Sequence, residues 1–209
     1  MPIIYATNET LDKLPERDVN DHYETPIEFV RAALKNLPFY NRLYRCLDPG
    51  AGSGVWGRGV KEYFPRCKVT GVEIREIERP AHYDVWRNED FLSDRCLFDE
   101  LFDLVVGNPP YGKQNGTLIP DLAEKFVRRS WALCKPGGSI YFLLPLDFIS
   151  SAKRHNGLWR DIPLHELHVS ANRIHFVGKG TANPNIHAMY HWYKGYSGPW
   201  HGKTFCYRV

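Results

Sequence analysis

Apolar residues recur along this chain in two alternating rhythms. Ile27, Val30, Leu34 and Leu37 follow at three- and four-residue intervals, which gives a helix with one apolar face. Thr25, Pro26 and Glu28 stand before that face in the pattern of a capping box, with proline at the first helical position. Residues 43–47 read as a strand, 55–64 as a helix stopped by Pro65, and 68–72 as a second strand that ends at Glu73. A weaker strand is expected at 83–87 and a buried one at 102–106. Leu122, Phe126, Ser130 and Leu133 share one face of a helix expected over 121–134, closed by Lys135-Pro136-Gly137-Gly138. A buried strand then follows at 139–144. The pattern continues with a helix over 148–159 and strands at 164–169 and 186–193, separated by a Gly/Asn/Pro-rich loop over 178–185. Residues 1–20 are polar and aperiodic and read as an arm, and 196–209 as a tail, around a single domain spanning 1–209. Strands alternating with helices predict a doubly wound, mostly parallel α/β sheet. Such a sheet takes its ligand in the crevice beyond the carboxyl ends of its strands.

Composition narrows the class. The 209 residues are 43% hydrophobic and 24% charged, which excludes a disordered or collagenous chain. The longest apolar run, 140–146, falls far short of the roughly 20 residues of a membrane span, so no membrane association is expected. Five cysteines without a CxxC pair predict neither a disulfide framework nor a cysteine zinc site. The first ten residues lack a basic segment followed by an apolar core, and a cytoplasmic setting is expected. The net charge of +3 conceals an asymmetry. Residues 151–209 carry eight Lys and Arg against two acids, +6, which leaves −3 for the rest. A basic segment of this kind suits an anionic partner such as nucleic acid. Lys153, Arg154, Arg173 and Lys179 are its candidate phosphate contacts, with Lys113 in the loop over 112–117.

Two segments at expected strand ends carry the chemistry. In Asp48-Pro49-Gly50-Ala51-Gly52-Ser53-Gly54 the glycines permit a tight turn and close backbone approach to a ligand. Glu73, at the end of the next strand, is placed to accept the two ribose hydroxyls of an adenosine. The spacing is not GxGxxG, and no Lys-Ser/Thr follows as in a P-loop. Asp48 would repel a phosphate and pair with an ammonium, which selects an adenosine carrying an amine: S-adenosylmethionine. In the second segment, Asn108-Pro109-Pro110-Tyr111, two prolines remove two N–H donors and stiffen the backbone. The Asn108 side-chain oxygen and the Pro109 carbonyl can then accept both hydrogens of a planar NH2 group, while Tyr111 offers a ring for stacking. A rigid turn after a strand is the structural alternative.

With these segments the chain resembles the S-adenosylmethionine-dependent amino-group methyltransferases, specifically the DNA adenine-N6 enzymes with the Asn-Pro-Pro-Tyr motif. The likeness runs over about residues 22–195. It implies that the 48–54 loop binds the cofactor, that Glu73 with Ile74 meets its ribose, and that Asp90 and Phe91, in Asn88-Glu89-Asp90-Phe91, meet its adenine. Tyr23-Glu24-Thr25-Pro26 resembles the motif that closes over the methionine end, and its place ahead of the cofactor loop is the family's gamma order. Phe176 resembles a late aromatic that clamps the flipped base. The fold implied is a Rossmann-like methyltransferase sheet, mostly parallel with an antiparallel edge strand. The implied partner is DNA, and the implied setting a prokaryotic or phage-infected cell, as a monomer or weak dimer. Sequence-reading members usually carry a recognition domain of substantial size, and the residues past 195 are too few for one, so a short or loosely read target is expected. Adenine in structured RNA and a protein glutamine amide are the competing acceptors. His187, His191 and the group His165/Glu166/His168 raise the question of a metal; methyl transfer needs none, and none is expected.

Overall fold

A computed structural model describes residues 23–35, 37, 43–178, 184–199 and 202–207. The elements are α1 (Ile27–Lys35), β1 (Arg45–Pro49), α2 (Val55–Tyr63), β2 (Lys68–Glu73), β3 (Val85–Asn88), β4 (Phe102–Gly107), β5 (Lys113–Gln114) and β6 (Thr117–Leu118). They continue with α3 (Leu122–Leu133), β7 (Cys134–Pro145), a 3-10 turn (Leu146–Ile149), α4 (Ala152–Asn156), α5 (Leu158–Asp161), β8 (Glu166–Ser170), β9 (His187–Tyr193) and β10 (Lys203–Tyr207). Eight strands form one sheet in the order β10-β8-β9-β7-β4-β1-β2-β3, and β5 pairs with β6 in a small hairpin.

The central strands of the sheet are buried on both faces, and the period of two along them divides their side chains between two cores. On β7, Ile140, Phe142 and Leu144 face one core, together with Phe126 and Val127 of α3 and with Leu158 and Trp159 of α5. Tyr141 and Leu143 face the other, which contains Val30 and Leu34 of α1 and Trp56 and Val60 of α2. Burial on this scale, at roughly 25 cal/mol per Å² of apolar surface, is what holds the layers together.

β9 runs antiparallel to both its neighbours, β7 and β8, and the remaining strand pairs of the sheet are parallel. The expected antiparallel strand is therefore present but lies inside the sheet, because β8 and β10 extend it beyond β9. β10 is drawn from the residues read as a tail and pairs with β8 from Lys203↔Glu166 to Tyr207↔Ser170.

Three local expectations change. The capping box at Thr25 is not made. The Thr25 hydroxyl has no hydrogen-bond partner, and the Pro26 carbonyl starts α1 by accepting from the amides of Phe29 and Val30. The single helix expected over 148–159 is broken into the 3-10 turn, α4 and α5. Ser151 caps α4 by accepting from the Arg154 amide, and Gly157 interrupts the helical backbone with φ −124° and ψ −95°. β7 begins at Cys134, directly after α3, and meets β4 through a register shift between Phe102 and Leu104.

The contact of α1 with α2 depends on Gly59. A Cβ there would lie 2.4 Å from Val30 Cγ1 and 2.9 Å from Leu34 Cδ1. We expect Gly59→Val to destabilise the protein by about 1–3 kcal/mol through overpacking, read as a lower urea midpoint. An unchanged midpoint would mean that α1 does not seat as described.

Candidate active site

Parallel pairing of β1 with β4 (Cys46↔Leu104, Leu47↔Val105) sets the two chemistry-bearing loops side by side at the strands' carboxyl ends. The cleft they bound holds about 700 Å³ of free space, its open mouth included. Tyr23, Thr25, Pro49, Gly50, Ala51, Gly52, Glu73, Ile74, Asp90, Phe91, Asn108, Pro110 and Lys113 all line it.

The glycine loop takes a path that side chains oppose. Gly52 has φ +56°, and Gly54, which precedes α2, has φ +92°, where a Cβ would also strike the Pro80 ring at 2.7 Å. This path turns the Gly52 amide toward Glu73, whose Oε2 accepts from it at 2.8 Å. Glu73 Oε1 accepts from the Arg75 backbone amide at 3.0 Å and from Arg75 Nε at 2.8 Å. Burial pushes the Glu73 carboxyl up, but the Arg75 pair and the loop amide outweigh it and hold the group below the ordinary carboxylate range. The acid expected to meet a ribose is thus on the cleft wall, with both oxygens already engaged by its own chain.

Asp48 lies under the loop rather than on the wall. Its Oδ2 accepts from the Tyr83 hydroxyl at 2.7 Å, and its Oδ1 is buried with no partner. Burial raises its pKa to about 7, against the opposing Tyr83 hydrogen bond. Thr25 Oγ1, on the cleft wall, is a second buried polar atom left unsatisfied. Such atoms cost free energy unless a ligand or water completes them. The expected pairing of Asp48 with a ligand's ammonium therefore gives way to its hydrogen bond with Tyr83, and Thr25 Oγ1 alone of the two faces the cleft. Pro26 sits beyond the cleft, in a neighbouring depression with Arg173. Asp90 spends Oδ1 on the Leu92 amide, and Phe91 packs its ring 5.1 Å from Phe126.

At the end of β4, Asn108 is held at both ends of its amide. Nδ2 donates to the Tyr23 carbonyl at 2.9 Å, and Oδ1 accepts from the Tyr111 hydroxyl at 2.6 Å. Pro109 and Pro110 pack against the turn at Gly50, within 3.8 Å of the position a Cβ would take there. Behind Tyr111 the aromatic rings continue: Tyr111 to His187 at 5.8 Å, His187 to Phe176 at 5.2 Å and Phe176 to Tyr23 at 5.6 Å. Phe176 is only 2% exposed and does not line the cleft. Tyr23 and His187 cover its ring, so its expected contact with an extruded base gives way to a supporting position behind them.

The basic residues separate. Lys113 reaches the cleft from β5. Lys153 is ion-paired with Asp121. Arg154 donates Nε to the Phe148 carbonyl at 2.7 Å and lies over the Phe148 ring. Arg173 is exposed, and Lys179 lies outside the described residues. Trp56, Arg75, Glu89, Gln114 and Phe126 also line the cleft, where no motif in the sequence placed them. Of these, Arg75 carried a signal, a cation two residues beyond the candidate ribose acid.

No family model matches the chain. Over 104 residues it is 28% identical to ribosomal RNA small subunit methyltransferase C of Pasteurella multocida, covering 46% of this chain and 31% of that protein. It is 25% identical over 142 residues to the tRNA1(Val) (adenine(37)-N6)-methyltransferase of Porphyromonas gingivalis, 55% of each chain. It is 27% identical over 147 residues to the release factor glutamine methyltransferase of Koribacter versatilis, 57% of this chain and 51% of that one. The chain thus spans from about a third to about half of these relatives' length. Among solved structures, a putative class I S-adenosylmethionine-dependent methyltransferase from Listeria monocytogenes aligns with a TM-score of 0.66 at 13% identity, over 89% of this chain and 65% of that one. The chain has the class I methyltransferase fold. A modification subunit of a putative type I restriction enzyme from Vibrio vulnificus aligns with the chain at a TM-score of 0.65 and 16% identity, over 96% of this chain and 49% of the subunit. The fold supports S-adenosylmethionine as cofactor.

His187 generates a pH prediction. Burial lowers its pKa to about 4, against the Asn185 carbonyl, which favours the charged form. Its folded pKa lies below the roughly 6.5 of an unfolded histidine, so its stabilising contribution is complete above 6.5 and lost as pH falls toward 4. Between pH 7 and pH 5 the protein should lose about 2 kcal/mol more than His187→Gln does, measured by urea denaturation. Equal losses in the two proteins would place the imidazole in water.

Proposed function

We propose that this protein transfers a methyl group from S-adenosylmethionine to the N6 amino group of an adenine in DNA. The observation that carries this reading is the orientation of Asn108. Its Nδ2 is spent on the Tyr23 carbonyl, so Oδ1 is the end left to meet a donor, and in the free protein the Tyr111 hydroxyl fills that role. An adenine N6 amino group is a donor of the same kind with two hydrogens. Asn108 Oδ1 accepts one and the Pro109 carbonyl the other, which draws the planar nitrogen toward tetrahedral geometry and turns its lone pair outward. S-adenosylmethionine supplies an electrophilic sulfonium methyl. No side chain has to remove a proton beforehand, because the methylated nitrogen is cationic and releases its proton afterwards.

Several features fit the cofactor. Gly52 lets the backbone approach it, Thr25 Oγ1 offers a hydroxyl at the wall, and Glu73 remains ionised there. Arg75 must share or yield its hold on Glu73 for a ribose to be accepted there. An adenine inside a duplex has to be extruded to reach the cleft, and Tyr111 offers the ring on which it stacks. The similarity to a tRNA adenine-N6 enzyme keeps adenine in RNA as the second reading.

The acceptor is decided by incubating the protein with labelled S-adenosylmethionine and, in parallel, duplex DNA, structured RNA and protein, then digesting and identifying the product. Label in N6-methyladenine from DNA is the expected result. Label only in RNA or in a glutamine amide would overturn the reading. Tyr111→Phe frees Oδ1 and keeps the ring, and should hold turnover within a few-fold. Tyr111→Ala loses stacking of roughly 1–3 kcal/mol and should raise KM for nucleic acid. Equal kinetics for the two variants would remove Tyr111 from the base site.

A further inference from the structure

Away from the cleft, β8 and β9 gather three histidines and a carboxylate beside Tyr141. Glu166 and His191 are direct partners in the antiparallel register, and His165 and His168 stand one and two residues from Glu166. His165 Nδ1 lies 3.5 Å from His191 Nδ1 and 4.0 Å from Glu166 Oε1, and His191 Nδ1 lies 3.2 Å from Glu166 Oε2. Nothing in the proposed methyl transfer uses these groups.

We infer that His165, Glu166 and His191 form a site for one zinc-class divalent transition-metal ion, which clamps β8 to β9. The spacing is that of a metal's ligand shell. Zinc bonds of roughly 2.0–2.1 Å at tetrahedral angles put neighbouring ligand atoms roughly 3.3–3.4 Å apart. The two closer separations here bracket that edge, and the third closes by a small turn of the Glu166 carboxylate.

Proton counting points the same way. His191 Nδ1 faces both Glu166 Oε2 and His165 Nδ1, and a single proton on it can satisfy one of them. A cation at the centre satisfies all three at once. The ring's far side is already arranged for this, because buried Ser139 Oγ lies 2.9 Å from His191 Nε2. When Nε2–H donates to Ser139, the Nδ1 lone pair is left turned toward Glu166 and His165, as a metal requires. Tyr141 stacks edge-on against His191 and against His168, which fixes the ring planes. His168 Nε2, 3.0 Å from Glu166 Oε2, or a water can fill the fourth position. Two imidazoles with one carboxylate favour zinc, cobalt or nickel over magnesium or calcium, which prefer all-oxygen shells.

The test uses tag-free full-length protein stripped with chelator and dialysed. Titrated zinc chloride should bind saturably at one ion per chain and raise the melting temperature, whereas magnesium chloride should do neither. Cobalt(II) should give the intense visible bands of a tetrahedral site. Ser139→Ala should weaken zinc roughly 10–100-fold, the usual cost of losing such a support. The His165→Gln/Glu166→Gln double variant should lose the zinc-dependent rise and the cobalt bands. If that variant fails to fold, the cobalt spectrum of the wild type and the Ser139→Ala affinity decide. No saturable zinc binding, or zinc retained equally by a folded double variant, would overturn the site.

Discussion

Parallel pairing of β1 with β4 is the constraint on which the cleft depends. Strands in that register must end together, so the loop after Asp48 and the turn at Asn108 emerge side by side although about 60 residues separate them in sequence. The pairing is held by burial on both faces rather than by its hydrogen bonds alone. Cys46, Leu47, Leu104 and Val105 are all fully buried, and each strand is sealed between the α1/α2 layer and the α3 layer. A shift of one residue in this register would reverse which side chains enter each core and would withdraw Asn108 from the glycine loop.

On that frame the polar groups are arranged at some cost. Tyr83 reaches from the loop before β3 to Asp48, and Tyr23 reaches from the segment before α1 to Asn108, so both key side chains are oriented by residues distant in sequence. Each still leaves something unfinished. Asp48 Oδ1 and Thr25 Oγ1 have no partner, and Asn108 Oδ1 is covered by a hydroxyl that a substrate can replace.

Much of the sheet was legible in the sequence because its strands are short apolar runs flanked by glycine and proline. Both candidate loops were legible as turns at strand ends because Gly50, Gly52 and Gly54 admit positive φ and the Pro109-Pro110 pair fixes the backbone. What escaped depends on contacts between distant segments. The hold of the Tyr23 carbonyl on Asn108, the Tyr83 hydrogen bond to Asp48 and the covering of Phe176 by Tyr23 and His187 carry no periodic signal. The short helices after β7 were misjudged because the apolar pattern of 148–159 continues across Gly157, whose backbone does not. β10 was missed because its pairing with β8 is set by tertiary contact.

The central claim is that Asn108 acts on the acceptor amine and leaves the cofactor to the loop beneath it. Asn108→Ala measured two ways tests this directly, by calorimetric affinity for S-adenosylmethionine and by single-turnover methylation of duplex DNA. The account predicts cofactor affinity within a few-fold of wild type and turnover reduced to background, as when an interaction is made mainly in the transition state. Near wild-type methylation by Asn108→Ala would contradict it.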